Sequence, residues 1–169
     1  MKQRITTNEL SSLKNSQKEA LRKFWMPMRH DIAVAYVCTD VENDIYAEVE
    51  FTIGRIKIRP SGNSLLYDLR AADGYQKIMT EEEQAEEVVE DPIVFTKDVC
   101  LPLLTIGQMI EILGGLNFNK YHFYLLAGNG KIGCEVGNFN SVLKGNILKE
   151  GYIHAELCDV LWDMLTKHL

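Results

Sequence analysis

The stretch Ile32 to Ile58, IAVAYVCTDVENDIYAEVEFTIGRIKI, contains two kinds of strand and a break between them. Ile32 to Cys38 is apolar on both faces, the pattern of a central strand rather than an edge. Asp40 to Asp44 is turn chemistry. Beyond it Ile45, Ala47, Val49, Phe51 and Ile53 alternate with Tyr46, Glu48, Glu50 and Thr52, which predicts a strand with one wet face. At Gly54 the phase slips, because the apolar positions are odd before it and even after it, at Ile56 and Ile58. A one-residue slip at glycine predicts a bulge or a tight turn. After the slip Arg55, Lys57 and Arg59 share a face opposite the two isoleucines.

Downstream, Pro60-Ser61-Gly62-Asn63 reads as a turn, Leu65 to Leu69 as a strand, Asp73-Gly74 as a turn and Tyr75 to Met79 as a short strand. Ile32 to Met79 thus reads as an antiparallel meander, with one further strand at Ile93 to Thr96. Tyr121 to Ala127 and Lys131 to Val136 flank Gly128-Asn129-Gly130 as a hairpin. Helices frame these strands. A short piece lies at Asn8 to Leu13, and a second helix opens on a Ser16/Glu19 capping box, carries Ala20, Leu21 and Phe24 on its apolar face and stops before Pro27. A third opens on a Thr105/Gln108 box, has Ile106, Met109, Ile110 and Leu113 on one side and ends at Gly114-Gly115. The last runs from about His154, with Leu157, Val160, Leu161, Met164 and Leu165 at helical spacing. The fold class is α+β, an antiparallel sheet with N-terminal, central and C-terminal helices, in a single domain over residues 1–169.

Composition agrees with one folded core: the 169 residues are 46% hydrophobic and 25% charged, far from the signature of disorder. No signal-peptide or membrane-span pattern is found, so the chain is expected in the cytoplasm, with no membrane partner. Cys38, Cys100, Cys134 and Cys158 are widely spaced in apolar surroundings and predict reduced, buried thiols. His30, His122, His154 and His168 add no ligand spacing, so neither a metal nor any other cofactor is expected. Of the 24 acidic residues seven fall between Glu81 and Asp91 with no base among them, and the other 17 balance the 18 basic ones. The net charge of −6 is therefore one local segment, an acidic loop or exposed helix over residues 80–91. A near-neutral body exerts no general pull on nucleic acid.

Chemistry-bearing patterns are few. Gly128-Asn129-Gly130-Lys131 lacks phosphate-loop spacing and leads into a strand, so it reads as a hairpin turn. Asp40, Glu42, Asp44, Asp68 and Asp73 suit turn or surface positions as well as a divalent ion. His122 and His154 have no nucleophile or orienting carboxylate at a recognisable offset, so no catalytic residue is assigned. Two surfaces are candidates for binding. Arg55, Lys57 and Arg59 form a line of cations about 13 Å long, suited to a small anion or nucleotide with Tyr67 or Tyr75 to stack, or else to cross-strand pairing with Glu48, Glu50 or the acidic segment. Glu82, Glu83, Glu86 and Glu87 could dock in a basic groove of a partner protein, or simply solvate the surface.

The segment Leu101 to Leu113, LPLLTIGQMIEIL, resembles a block in small uncharacterised proteins of Gram-positive phages and prophages, with weaker echoes at Phe24-Trp25-Met26-Pro27 and Leu161-Trp162. The resemblance implies a phage setting within a bacterial host cell and brings no catalytic residues. The expectation is then a non-catalytic binding protein of phage or prophage origin that antagonises a host protein. The alternative is a protein that binds or sequesters nucleotides or small anions on the basic strand face. An enzyme ranks third.

Overall fold

The computed structural model describes residues 1–40, 43–71, 94–116, 122–128, 131–137, 150–154 and 156–169. The expected Asp73-Gly74 turn, the strand from Tyr75 to Met79 and the acidic segment lie outside the described residues. The protein is α+β, with four α-helices and ten strands in three antiparallel sheets among the described residues. Its contacts divide it into two compact units, Leu21–Leu103 on one hand and Met1–Ala20 with Leu104–Leu169 on the other.

In the unit Leu21–Leu103, β1 (Ile32–Asp40) lies between β2 (Ile45–Thr52) and β7 (Cys100–Pro102), as its two-sided apolar pattern requires. Its registers pair Ala35 with Val49 on one side and Ala35 with Cys100 on the other. Val49 and Phe51 of β2 are buried while Tyr46 and Glu48 face solvent. The short β5 (Arg70–Ala71) closes the far edge, giving the order β5-β2-β1-β7. A second sheet, in the order β3-β4-β6, comprises Arg55–Ile58, Ser64–Tyr67 and Phe95–Thr96.

The meander is therefore a correction. Gly54 is neither a bulge nor a simple turn but the point at which the chain leaves the first sheet for the second. The chain returns at Asp68-Leu69, between β4 and β5. Phe51 of the first sheet and Phe95 of the second pack in a tilted arrangement, with ring centroids 5.1 Å apart and planes 41° apart. The phase slip thus marks a change of which sheet buries the apolar side chains. Ile58, read as lying opposite the cations, is 71% exposed, because β3 ends at this residue and turns at Gly62 (φ 86°).

The other unit contains α1 (Thr7–Ser11), α3 (Ile106–Gly115), α4 (Leu157–His168) and β8 (His122–Gly128), β9 (Lys131–Gly137) and β10 (Glu150–His154) in a sheet of order β10-β9-β8. Thr105 and Gln108 form the expected reciprocal cap of α3, and Thr6 and Glu9 form an unforeseen one at α1. Met109 and Leu113 are the buried face of α3, while Ile110 is half-buried. Strands β8 (His122–Gly128) and β9 (Lys131–Gly137) pair through to Gly128 opposite Lys131, so this segment leads into a strand and not into a phosphate-binding helix. Glu150–His154 forms β10 against β9, a strand the sequence did not suggest, and α4 begins after it rather than at His154. Cys158, Val160, Leu161, Trp162, Met164 and Leu165 bury α4 on most of its circumference.

The helix α2 (Asn15–Phe24) contains the boundary between the units and starts earlier than its expected cap. The Gln17 side chain accepts from the Lys14 amide at 3.0 Å, so Ser16 is already helical and the Ser16/Glu19 box does not form. Phe24 is 40% exposed, and the buried aromatic at this helix end is Trp25.

Candidate basic cleft at the sheet crossing

The loop Trp25 to Asp31, between α2 and β1, is fixed by one carboxylate. Asp31 accepts from the indole Nε1 of buried Trp25 at 3.0 Å and from the Met28 amide at 2.9 Å. Main-chain bonds then lace the loop to the end of β2: the His30 amide donates to Ile53 O at 2.8 Å and the Ile53 amide to Asp31 O at 2.9 Å. His30 takes a left-handed conformation, φ 74°, which a side chain rarely adopts without compensating contacts. Arg29 and His30 are both held exposed beside Thr52, Ile53 and Gly54.

Across from this loop lies the second crossing. Asp68 follows β4 with φ 48°, a conformation aspartate tolerates better than most residues. Gly54 passes so close that an added Cβ would lie 2.7 Å from the Asp68 Cβ and overlap its carbonyl oxygen. Only glycine permits that approach. The Gly54 amide donates to Tyr67 O at 3.2 Å. Arg55 opens β3 and its Nε pairs with the Asp68 carboxylate, while Arg70, in β5 opposite Thr52, completes the rim.

The result is a cleft of about 390 Å³, in the range of small-ligand sites, lined by Arg29, Arg55, Arg70 and His30 with Asp68 as the one acidic residue among the described lining residues. Arg29 and Arg70 have no ion-pair partner among the described residues. The Arg55 side chain is 78% exposed even while paired, so its contact with Asp68 holds geometry more than it adds stability. A second cleft of about 360 Å³ adjoins the first through Arg55 and Asp68 and is further lined by Ile56, Lys57 and Tyr67.

The basic strand face is thus divided. Arg55 lines both clefts, Lys57 only the second, and Arg59 neither, since it lies beyond the end of β3 in the hairpin turn. Arg29, His30 and Arg70 were missed by sequence reasoning because they come from three separate segments; the phase slip at Gly54 was the only local sign that chain ends gather here. Glu82, Glu83, Glu86, Glu87 and Tyr75 lie outside the described residues. His122 is exposed in β8 with its ring 6.4 Å from Tyr124. No group of three or more His, Cys, Asp or Glu able to hold a metal ion occurs among the described residues.

The cysteines are free, with Cys38 half-buried and Cys100, Cys134 and Cys158 fully buried. Burial pushes the Cys100 and Cys134 thiols up to about 12 and Cys158 to about 11, which leaves them protonated and poor nucleophiles. No helix among the described residues is long and apolar enough to cross a membrane. No family model, curated protein or solved structure matches the chain.

Proposed function

We propose that this protein is a binding protein for small phosphate-bearing or other multiply charged anions, which it holds in the cleft at the sheet crossing. The observation that carries the reading is the convergence of Arg29, Arg55 and Arg70 with His30 on one concavity where Asp68 is the one acidic residue among the described lining residues. Guanidinium groups offer forked donors that match phosphate oxygens, and convergence in a concavity concentrates the field. The lacing of the 25–31 loop fixes the main chain from which Arg29 and His30 project, so the backbone part of the ordering cost of binding is met by the fold. Of the two binding readings the sequence offers, this one is supported by described residues. The reading as a phage protein that docks on a host protein rests on the resemblance and on the acidic segment.

Pyrophosphate titrated against the purified protein tests it. An anion that binds only the folded state raises the melting temperature with its concentration. Pyrophosphate should raise it in a salt-sensitive manner, and Arg29→Ala with Arg70→Ala should abolish the rise while leaving the unliganded melting temperature within about 1 °C, since both side chains are exposed. Absence of any shift at millimolar pyrophosphate and low salt overturns the proposal, as does an equal shift in the double variant.

A further inference from the structure

The second cleft makes the first one more specific. We infer that the ligand is a free nucleoside monophosphate, with its phosphate among Arg29, His30 and Arg70 and its base against Tyr67; this inference rests on the anion-binding reading. The two concavities share one wall, Arg55 and Asp68, so a single ligand can occupy both by passing over that pair. Their chemistry differs. The first is lined by three arginines and a histidine, and the second by Tyr67 beside Lys57.

Register places the ring where a base can use it. Tyr67 of β4 is directly opposite Arg55 of β3, so the two side chains project from the same face of the hairpin as nearest cross-strand neighbours. Lys57, two residues along, shares that face. Tyr67 is half-buried, which anchors the ring while leaving part of it accessible. A flat aromatic surface beside an arginine is the arrangement on which bases stack without sequence preference. Asp68 supplies a carboxylate acceptor between the two compartments, in position for a ribose hydroxyl or an exocyclic amine, groups that inorganic phosphate lacks.

Calorimetry with four probes, pyrophosphate, inorganic phosphate, adenosine monophosphate and adenosine, separates this inference from the reading beneath it. Adenosine monophosphate should bind roughly tenfold or more tightly than inorganic phosphate measured alongside, as stacking on one aromatic ring supplies. Adenosine alone should bind far more weakly. Tyr67→Leu should remove that advantage and leave pyrophosphate affinity unchanged, which also shows that the variant is folded; Tyr67→Phe should retain it. Equal affinities for adenosine monophosphate and phosphate, or an advantage that survives Tyr67→Leu, overturn the nucleotide inference while the anion cleft stands. Failure of pyrophosphate and phosphate to bind at all removes the anion reading itself.

Discussion

Gly54 carries more of the site than its absent side chain suggests. Both chain crossings between the sheets meet there, and the space that a methyl group would need is filled by the main chain of Asp68, which cannot swing aside as a flexible side chain would. Gly54→Ala should cost about 1–3 kcal/mol by overpacking and lower the melting temperature by several degrees, with the Arg55–Asp68 pair displaced and pyrophosphate binding weakened. Gly114→Ala is the matched control: it lies in α3 with nothing within 4 Å, so alanine there should be neutral or stabilising. Thermal melts of the two variants check the pair, and an unperturbed Gly54→Ala protein would show that the crossing is not tight. At this scale the sequence disclosed Gly54 and Arg55 through periodicity, because a phase slip is local. Arg29 and Arg70 left no such trace, since isolated arginines at chain ends are ordinary surface residues until long-range pairing gathers them.

Among the elements, α3 shows what reciprocal capping and an apolar stripe can specify. Thr105 and Gln108 fix its start as read from the sequence, but the buried stripe is Met109 and Leu113 rather than the whole set of four. Leu113→Asp should therefore abolish cooperative folding, because a buried unpaired carboxylate costs several kcal/mol against a total of about 5–15. Ile110→Asp should be milder, since Ile110 is half-buried and its carboxylate can reach water. Denaturant unfolding of both would test this ordering, and a folded Leu113→Asp protein beside an unfolded Ile110→Asp protein would reverse the assignment of the face. The elements that escaped the sequence did so for physical reasons. The strand β10 has a glycine at its second position and only five residues, too few for an alternation to stand out. The start of α2 moved because the Gln17 side chain reached back to accept from the Lys14 amide, a one-way cap that the Ser16/Glu19 pattern obscured. The change of sheet at Gly54 was visible as a slip but not as a crossing, since local periodicity reports which face is buried and not against which sheet.

For the whole molecule, ionisable groups whose protonation is shifted by the fold make stability depend on pH. On the acid side, burial raises the Glu9 carboxyl, but its bonds with Lys2 and Thr6 and the Lys2 charge outweigh this and hold it below the usual carboxylate value. Such a depressed group contributes stability that is present above the ordinary value near 4.5 and is lost as pH falls through its folded value. On the alkaline side the thiols act in the opposite sense. Cys100 and Cys134 are held neutral to about 12 and Cys158 to about 11, chiefly by burial, whereas in the unfolded chain they ionise near 9. Their stabilising contribution is whole below 9 and declines from there to 11–12, by up to about 1.4 kcal/mol per pH unit for each thiol. Lys2 adds to the same limb: burial opposes its charge, but hydrogen bonds to Asp159 and Glu9 raise it above 10.5, so its contribution also fades as pH rises through that raised value. Urea unfolding across pH 3 to 11 should give a plateau with two falling limbs. Glu9→Gln should flatten the acid limb and, by removing one of the two carboxylate partners of Lys2, also reduce the Lys2 part of the alkaline limb. Cys100→Ala with Cys134→Ala should flatten the alkaline limb, at some loss of packing throughout. An alkaline limb of unchanged slope in that double variant would place its cause outside Cys100 and Cys134, in Cys158, in Lys2 or in residues beyond those described.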